Sequence, residues 1–197
     1  MMSNRTPYLL AIVITLFALA GCGTASRIDI GLRLDRYAPK IDPVKYQQYT
    51  GQQICLSNIG NDAQNTTVFY YFSPDGSARY SFYAADGDPG QMIQSYFWYA
   101  YKKAFTQVGI TVSNDCTLIN QKELWIIFKS FNDQELKLRT TTYKNTIPVY
   151  QKDVTVTMPP YETPPDPEML KHRAYEMTDL TVTTLLDDPG FQEALLK

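Results

Sequence analysis

Apolar positions recur at helical spacing between Gln91 and Val108, where Ile93, Phe97, Ala100, Ala104 and Val108 form one stripe and Tyr96, Tyr101 and Phe105 widen it. Gln91, Ser95, Lys102 and Thr106 fall on the wetter side, so the pattern predicts an amphipathic helix laid on a sheet, with Gly109 as its C-terminal stop. A second helix is predicted from Asp166, with aspartate as N-cap, Pro167 at the first position and Glu168 in the first turn. Leu170, Ala174, Met177, Thr181 and Leu185 give its buried stripe. Its Thr181-Val182-Thr183-Thr184 run is poor helix-forming material, so tertiary packing has to hold that part. Asp188-Pro189-Gly190 then starts a short terminal helix whose Phe191, Ala194 and Leu195 tuck onto the body.

Elsewhere the period is two. Ile28, Ile30, Leu32 and Leu34 alternate, then Pro39 and Pro43 keep the following stretch extended, so residues 23–50 read as one short strand and a linker. Gln53 to Ile59, Thr66 to Phe72 and Arg79 to Tyr83 predict two or three further strands. The last two of these runs are separated by Ser73-Pro74-Asp75-Gly76, where proline presets φ and glycine closes the turn. Glu123 to Phe131, Glu135 to Tyr143 and Val149 to Met158 read as an antiparallel meander with one covered and one wet face. Pro159-Pro160-Tyr161-Glu162-Thr163-Pro164-Pro165 is a stiff connector. The expected fold class is α+β, an antiparallel sheet with two main helices packed on one face, and no internal repeat is visible.

The N-terminus changes the picture. An apolar run from Leu9 to Ala20, broken only by Thr15, follows a short segment carrying Arg5. At about a dozen residues it is too short to span a bilayer, which takes roughly 20, and it ends in Leu19-Ala20-Gly21-Cys22. That is a secretory signal with a lipobox: small residues admit a signal peptidase, and the Cys22 thiol takes a diacylglycerol and becomes residue one. Two or three palmitate-type acyl chains then anchor firmly where a single chain would not. Gly23 follows the cysteine where an inner-membrane retention signal would carry aspartate, so the lipoprotein-sorting rule implies the outer membrane, with the chain facing the periplasm. The expected organisation is a signal peptide at 1–21, a lipidated N-terminus and extended linker at 22–50, and one periplasmic domain at 51–197.

Charge and chemistry narrow the function classes. With 18 basic and 20 acidic residues and no basic cluster, the chain is a poor partner for nucleic acid or for lipid head groups. The one histidine, His172, sits between Lys171 and Arg173 and reads as a solvated helix residue, so no metal cluster, Cys-His pair or hydrolytic triad can be assembled. The pairs Asp86/Asp88 and Asp187/Asp188 lie with glycine and proline in turns, where carboxylates cap and hydrogen-bond locally. No glycine-rich phosphate loop follows a strand. No enzyme activity and no cofactor are expected.

Two cysteines remain after lipidation, Cys55 and Cys116. Cys55 opens a strand and Cys116 lies just past the helix that follows this strand region. An antiparallel return of that helix brings the two together, and the expected disulfide closes a loop of about sixty residues worth ~2–4 kcal/mol. The alternative is two independent buried thiols. Aromatic residues make up 13% of the chain, with fifteen tyrosines against nine phenylalanines, a balance suited to half-exposed sheets and interfaces. Trp98 falls about 120° off the apolar stripe, and alternation along the strand turns two of Phe69, Tyr70, Tyr71 and Phe72 away from the core. Each is either covered by another segment or offered to a partner.

The order of elements, closing on Leu186-Asp187-Asp188-Pro189-Gly190-Phe191-Gln192-Glu193-Ala194-Leu195, resembles the YajG-like lipoproteins and the related auxiliary lipoproteins of ABC-type envelope transport systems. The likeness covers the layout of residues 50–197, and its specific patches are the Tyr96 to Gly109 helix followed by Ile110-Thr111-Val112, the strand Ile147 to Asp153 and the terminal aspartate-containing helix. The resemblance implies a periplasmic sheet-and-helix module that partners envelope machinery, with no catalytic residue to carry over. This chain departs from it in the aromatic Thr67 to Tyr83 hairpin and in the cysteine pair. The expectation is a non-catalytic accessory subunit of an envelope transport or assembly complex, held by its N-terminal lipid. The rivals are a carrier holding a lipid ligand between helix and sheet and a subunit of a secretion or appendage ring.

Overall fold

A computed structural model describes residues 25–62, 69–85, 93–117 and 121–197. The expected signal peptide and the expected lipidation site, Cys22, lie outside the described residues. The chain is α+β, and its strands divide into two sheets. The first contains β1 (Ser26–Leu32), β4 (Ala78–Ala84) and β3 (Tyr70–Phe72) in the order β1-β4-β3. The second contains β2 (Gln53–Asn61), β5 (Thr111–Ser113), β6 (Lys122–Phe131), β7 (Glu135–Lys144) and β8 (Ile147–Thr157) in the order β5-β2-β6-β7-β8. Three helices follow the predicted stripes: α1 (Ile93–Gln107), α2 (Pro167–Leu186) and α3 (Pro189–Leu196).

The expected antiparallel sheet needs correction in its first half. β6, β7 and β8 form the antiparallel meander, but β2 runs parallel to both β5 and β6, and β1 runs parallel to β4. Alternation reports which face a side chain takes and carries no strand direction. A parallel pair needs a long crossover, and α1 lies within the one between β2 and β5.

β6 buries Leu124, Ile126, Phe128 and Phe131. A register shift between Phe128 and Ser130 moves the odd-numbered Phe131 onto the same face as its even-numbered predecessors. β7 answers with Leu136 and Leu138, and β8 with Val154 and Val156. Onto this face α1 places Phe97, Ala100, Tyr101, Ala104 and Phe105, all fully buried. Phe97 and Phe128 lie 4.6 Å apart between centroids, and Phe69 meets both. Gly109, at φ +85°, ends α1; a side chain there would also collide with Thr50, since an added Cβ would sit 2.9 Å from its hydroxyl.

α2 begins as predicted, with the Asp166 carboxylate accepting from the Met169 N–H at 2.8 Å. Its five predicted stripe residues are all buried. Thr178 and Thr181 donate their hydroxyls to the carbonyls of Ala174 and Met177, which lets threonine sit in a buried helix face without an orphan donor. α3 is capped by Asp188, whose carboxylate accepts from the Phe191 N–H.

The expected linker is also corrected. Residues 26–50 belong to the packed body: β1 pairs with β4 along its whole length, and Tyr37, Ile41, Tyr46 and Tyr49 are buried. The stretch after β1 is a strap latched by tyrosine hydroxyls. Tyr37 Oη donates to Asp179 Oδ1 at 2.6 Å, Tyr49 Oη donates to the Leu186 carbonyl at 2.7 Å, and Tyr175 Oη bridges the backbone of Arg33. Prolines 39 and 43 keep the strap out of a sheet without keeping it out of the core.

Candidate functional site

Cys55 and Cys116 form a disulfide, with Cα atoms 5.4 Å apart. The bridge ties β2 to the segment after β5, two strands already adjacent in the sheet. The carboxylates at Asp86 and Asp88 lie outside the described residues. Asp187 pairs with Lys45 at 2.7 Å. Asp188 caps α3 and pairs with Lys152: burial pushes its carboxyl up, but the Lys152 ammonium and the Phe191 N–H outweigh this and hold it below the usual range. His172 is exposed, with its ring against the edge of Tyr175. Among the described residues no group of three histidines, cysteines or acids is placed to hold a metal, and no helix is long and apolar enough to cross a membrane.

The interface candidates separate. Trp98 is half-buried; its indole N–H donates to the Leu56 carbonyl at 2.7 Å and the Lys102 ammonium lies over its ring. It is covered from within the chain. Phe69 turns inward, and Tyr71 lies 5.1 Å from Tyr80 and 6.4 Å from Phe82. Tyr70 and Phe72 point the other way, packed edge-to-face at 6.3 Å, and Phe72 is 55% exposed. The alternation predicted for these four rings is what the hairpin shows.

A surface that periodicity understated lies at the other end of the molecule. β8 ends its sheet with β7 as its one neighbour among the described residues. Ile147 is 65% exposed and Val149 46% exposed. The signal available in the sequence was parity: Val149 is out of phase with the buried Val154 and Val156, so one strand cannot bury all three. On the sheet face opposite the helices Trp125 and Tyr143 pack at 5.1 Å, and the Trp125 indole donates to Glu123. The result is a long strand edge and an aromatic ridge beside it.

A second feature sits over the strap. Arg36, Lys40, His172, Tyr175 and Asp179 line a cleft of about 470 Å³. Desolvation raises the Asp179 carboxyl above its ordinary value, opposed by the Tyr37 hydroxyl and the Lys40 N–H that donate to it. Its oxygens are committed to latching the strap, which makes it structural in this fold.

The fold is similar to that of protein XCC0632 from Xanthomonas campestris, of family DUF330, with a TM-score of 0.51, 12% identity, and coverage of 82% of this chain and 93% of that one. A crystal structure of an uncharacterized protein gives a TM-score of 0.47 at 9% identity, covering 82% and 96%. No family model and no curated protein matches the chain. At this identity the likeness to XCC0632 is one of fold alone.

Proposed function

We propose that the protein is an outer-membrane lipoprotein anchored through Cys22 and facing the periplasm. There it serves as a non-catalytic accessory subunit of an envelope transport or assembly complex, as its resemblance to YajG-like and ABC-type transport auxiliary lipoproteins suggests. The observation that carries this reading is the β8 edge, eleven residues long and apolar at its exposed end. Such an edge is a template for a partner's strand, with main-chain hydrogen bonds supplying affinity and flanking side chains specificity. Lys152 and Asp153 interrupt it with charge, a pattern that discourages indiscriminate pairing. The tight aromatic packing of α1 on the second sheet favours this role over a lipid pocket at that interface.

The test is copurification of the full-length lipoprotein from gently solubilised envelopes, with mass spectrometry of proteins and extracted lipids. Transport or assembly subunits are expected, and Val149→Lys should release them. Phospholipid without protein partners would replace this reading with the carrier.

A further inference from the structure

Between the β3–β4 hairpin, the β6–β7 turn and the proline connector lies a groove of about 410 Å³, within the range of sites that hold a ligand. The rings of Tyr71, Tyr80 and Tyr161 are among its lining. Four of its fourteen lining residues are prolines, at 74, 160, 164 and 165. The remaining charge is of one sign: Asp75, Asp133 and Glu162 line the groove, and no lysine, arginine or histidine does.

The walls are held in place from behind. Arg173 on α2 stacks its guanidinium 3.4 Å from the Tyr161 ring centroid and donates to the carbonyls of Asp133 and Pro159, each at 2.8 Å. One side chain thus fixes the turn and the connector to each other. Tyr161 Oη donates to the Met169 carbonyl, which orients its ring. The Ser73 and Ser77 hydroxyls donate to Asp75, holding its carboxyl down at about 2, so it is ionised throughout the neutral range. Asp133 and Glu162 make no ion pair among the described residues. Buried at the groove wall, the Tyr71 hydroxyl has no hydrogen-bond partner among them.

The lining says what can bind. Prolines have no backbone N–H, so these walls cannot supply the ladder of donors that an added β-strand needs. A polyproline-II segment has no such need: its backbone stays solvated, and its pyrrolidine ridges pack on flat aromatic faces. Three carboxylates line the groove against one guanidinium, Arg173, held behind its wall, and this acidic excess selects a positive charge on it. We propose that this groove takes an extended, proline-containing segment of a partner protein that carries lysine or arginine. The assignment rests on the accessory reading for the existence of a protein partner, and it uses a surface separate from the β8 edge.

The experiment titrates full-length protein in detergent with a labelled, capped peptide Pro-Pro-Arg-Pro-Pro-Lys-Pro, with the same peptide carrying glutamate for its two basic residues, and with phosphocholine. Saturable binding of the basic peptide alone is expected, and Asp133→Lys with Glu162→Lys should weaken it ~10-fold or more. Glu162→Lys by itself, at an exposed connector position, should shift affinity in the same direction and serves if the double variant does not fold. Binding that is unchanged in the variants, shared equally by the acidic peptide or phosphocholine, or absent at millimolar peptide overturns the proposal. Copurification separates the two readings. If wild-type protein brings down transport subunits but does not bind the basic peptide, the groove fails and the accessory role stands. If wild-type protein brings down none, the accessory role fails, and the peptide titration still decides the groove.

Discussion

Asp179 is a carboxylate taken almost out of water to hold a strap, and its protonation is therefore coupled to folding. Burial raises its folded value above the ordinary 3.8, so the native state keeps a proton that the unfolded chain has released. Its contribution is fully present below the unfolded value and is lost as pH rises through the folded one. In urea melts between pH ~3 and ~7, the stability of wild type minus that of Asp179→Asn should fall with rising pH. A flat or rising difference would refute the assignment. Asp75 behaves oppositely: with its value held at about 2, its stabilisation is present above 3.8 and is lost as pH falls toward 2. In the core, Phe128 meets Phe69, Phe97 and Tyr101 between helix and sheet, and Phe128→Ala should cost ~3–5 kcal/mol by denaturant unfolding.

At the scale of elements, both C-terminal helices begin on aspartate followed by proline, and both caps are made in the fold. Asp166→Ala should remove ~1 kcal/mol, seen as a lower urea midpoint with unchanged slope. The β7–β8 hairpin turns through Asn145 at φ 51° and Thr146 at φ 67°. A β-branched residue is poorly suited to that left-handed region, and glycine is the usual second residue of such a turn. Thr146→Gly should therefore stabilise the protein by ~1 kcal/mol, and a lower thermal midpoint in calorimetry would show that the strain had been misplaced. The Cys55–Cys116 bridge restrains the unfolded chain across a separation of 61 residues. Replacing both cysteines with serine should cost ~2–4 kcal/mol with the fold retained.

For the whole molecule, the proposed anchor and the proposed docking surfaces make separable demands. Cys22→Ala should move the protein from the membrane pellet to the soluble periplasmic fraction while circular dichroism of the folded body stays the same. Retention in the pellet would argue against lipidation. Because β1 pairs with β4 and the strap packs on α2, little of the chain after Ser26 is left to serve as a tether. The body should consequently sit close to the membrane surface once Cys22 is acylated, which restricts which edges a partner in the periplasm can reach.

Helix stripes, caps, the antiparallel meander and the cysteine pairing were legible in the chain because each depends on side chains close in sequence or on a simple return path. Strand direction was not, since alternation is the same whichever way a strand runs, and so the parallel β2–β6 and β1–β4 pairs emerge only on folding. Nor was the fate of residues 33–50, where two prolines keep the chain out of a sheet while Tyr37 and Tyr49 are buried and find their hydrogen-bond partners on α2, far along the chain. The same distance hid the groove. Its tyrosines, prolines and acids come from residues 71–80, 133–134 and 160–165, segments unrelated in sequence, the last two of which Arg173 draws together. Sequence by itself determined which faces are apolar and where helices start and stop, because those are short-range properties. Tertiary structure alone decided which surfaces stay open, because exposure depends on everything else the chain packs against them.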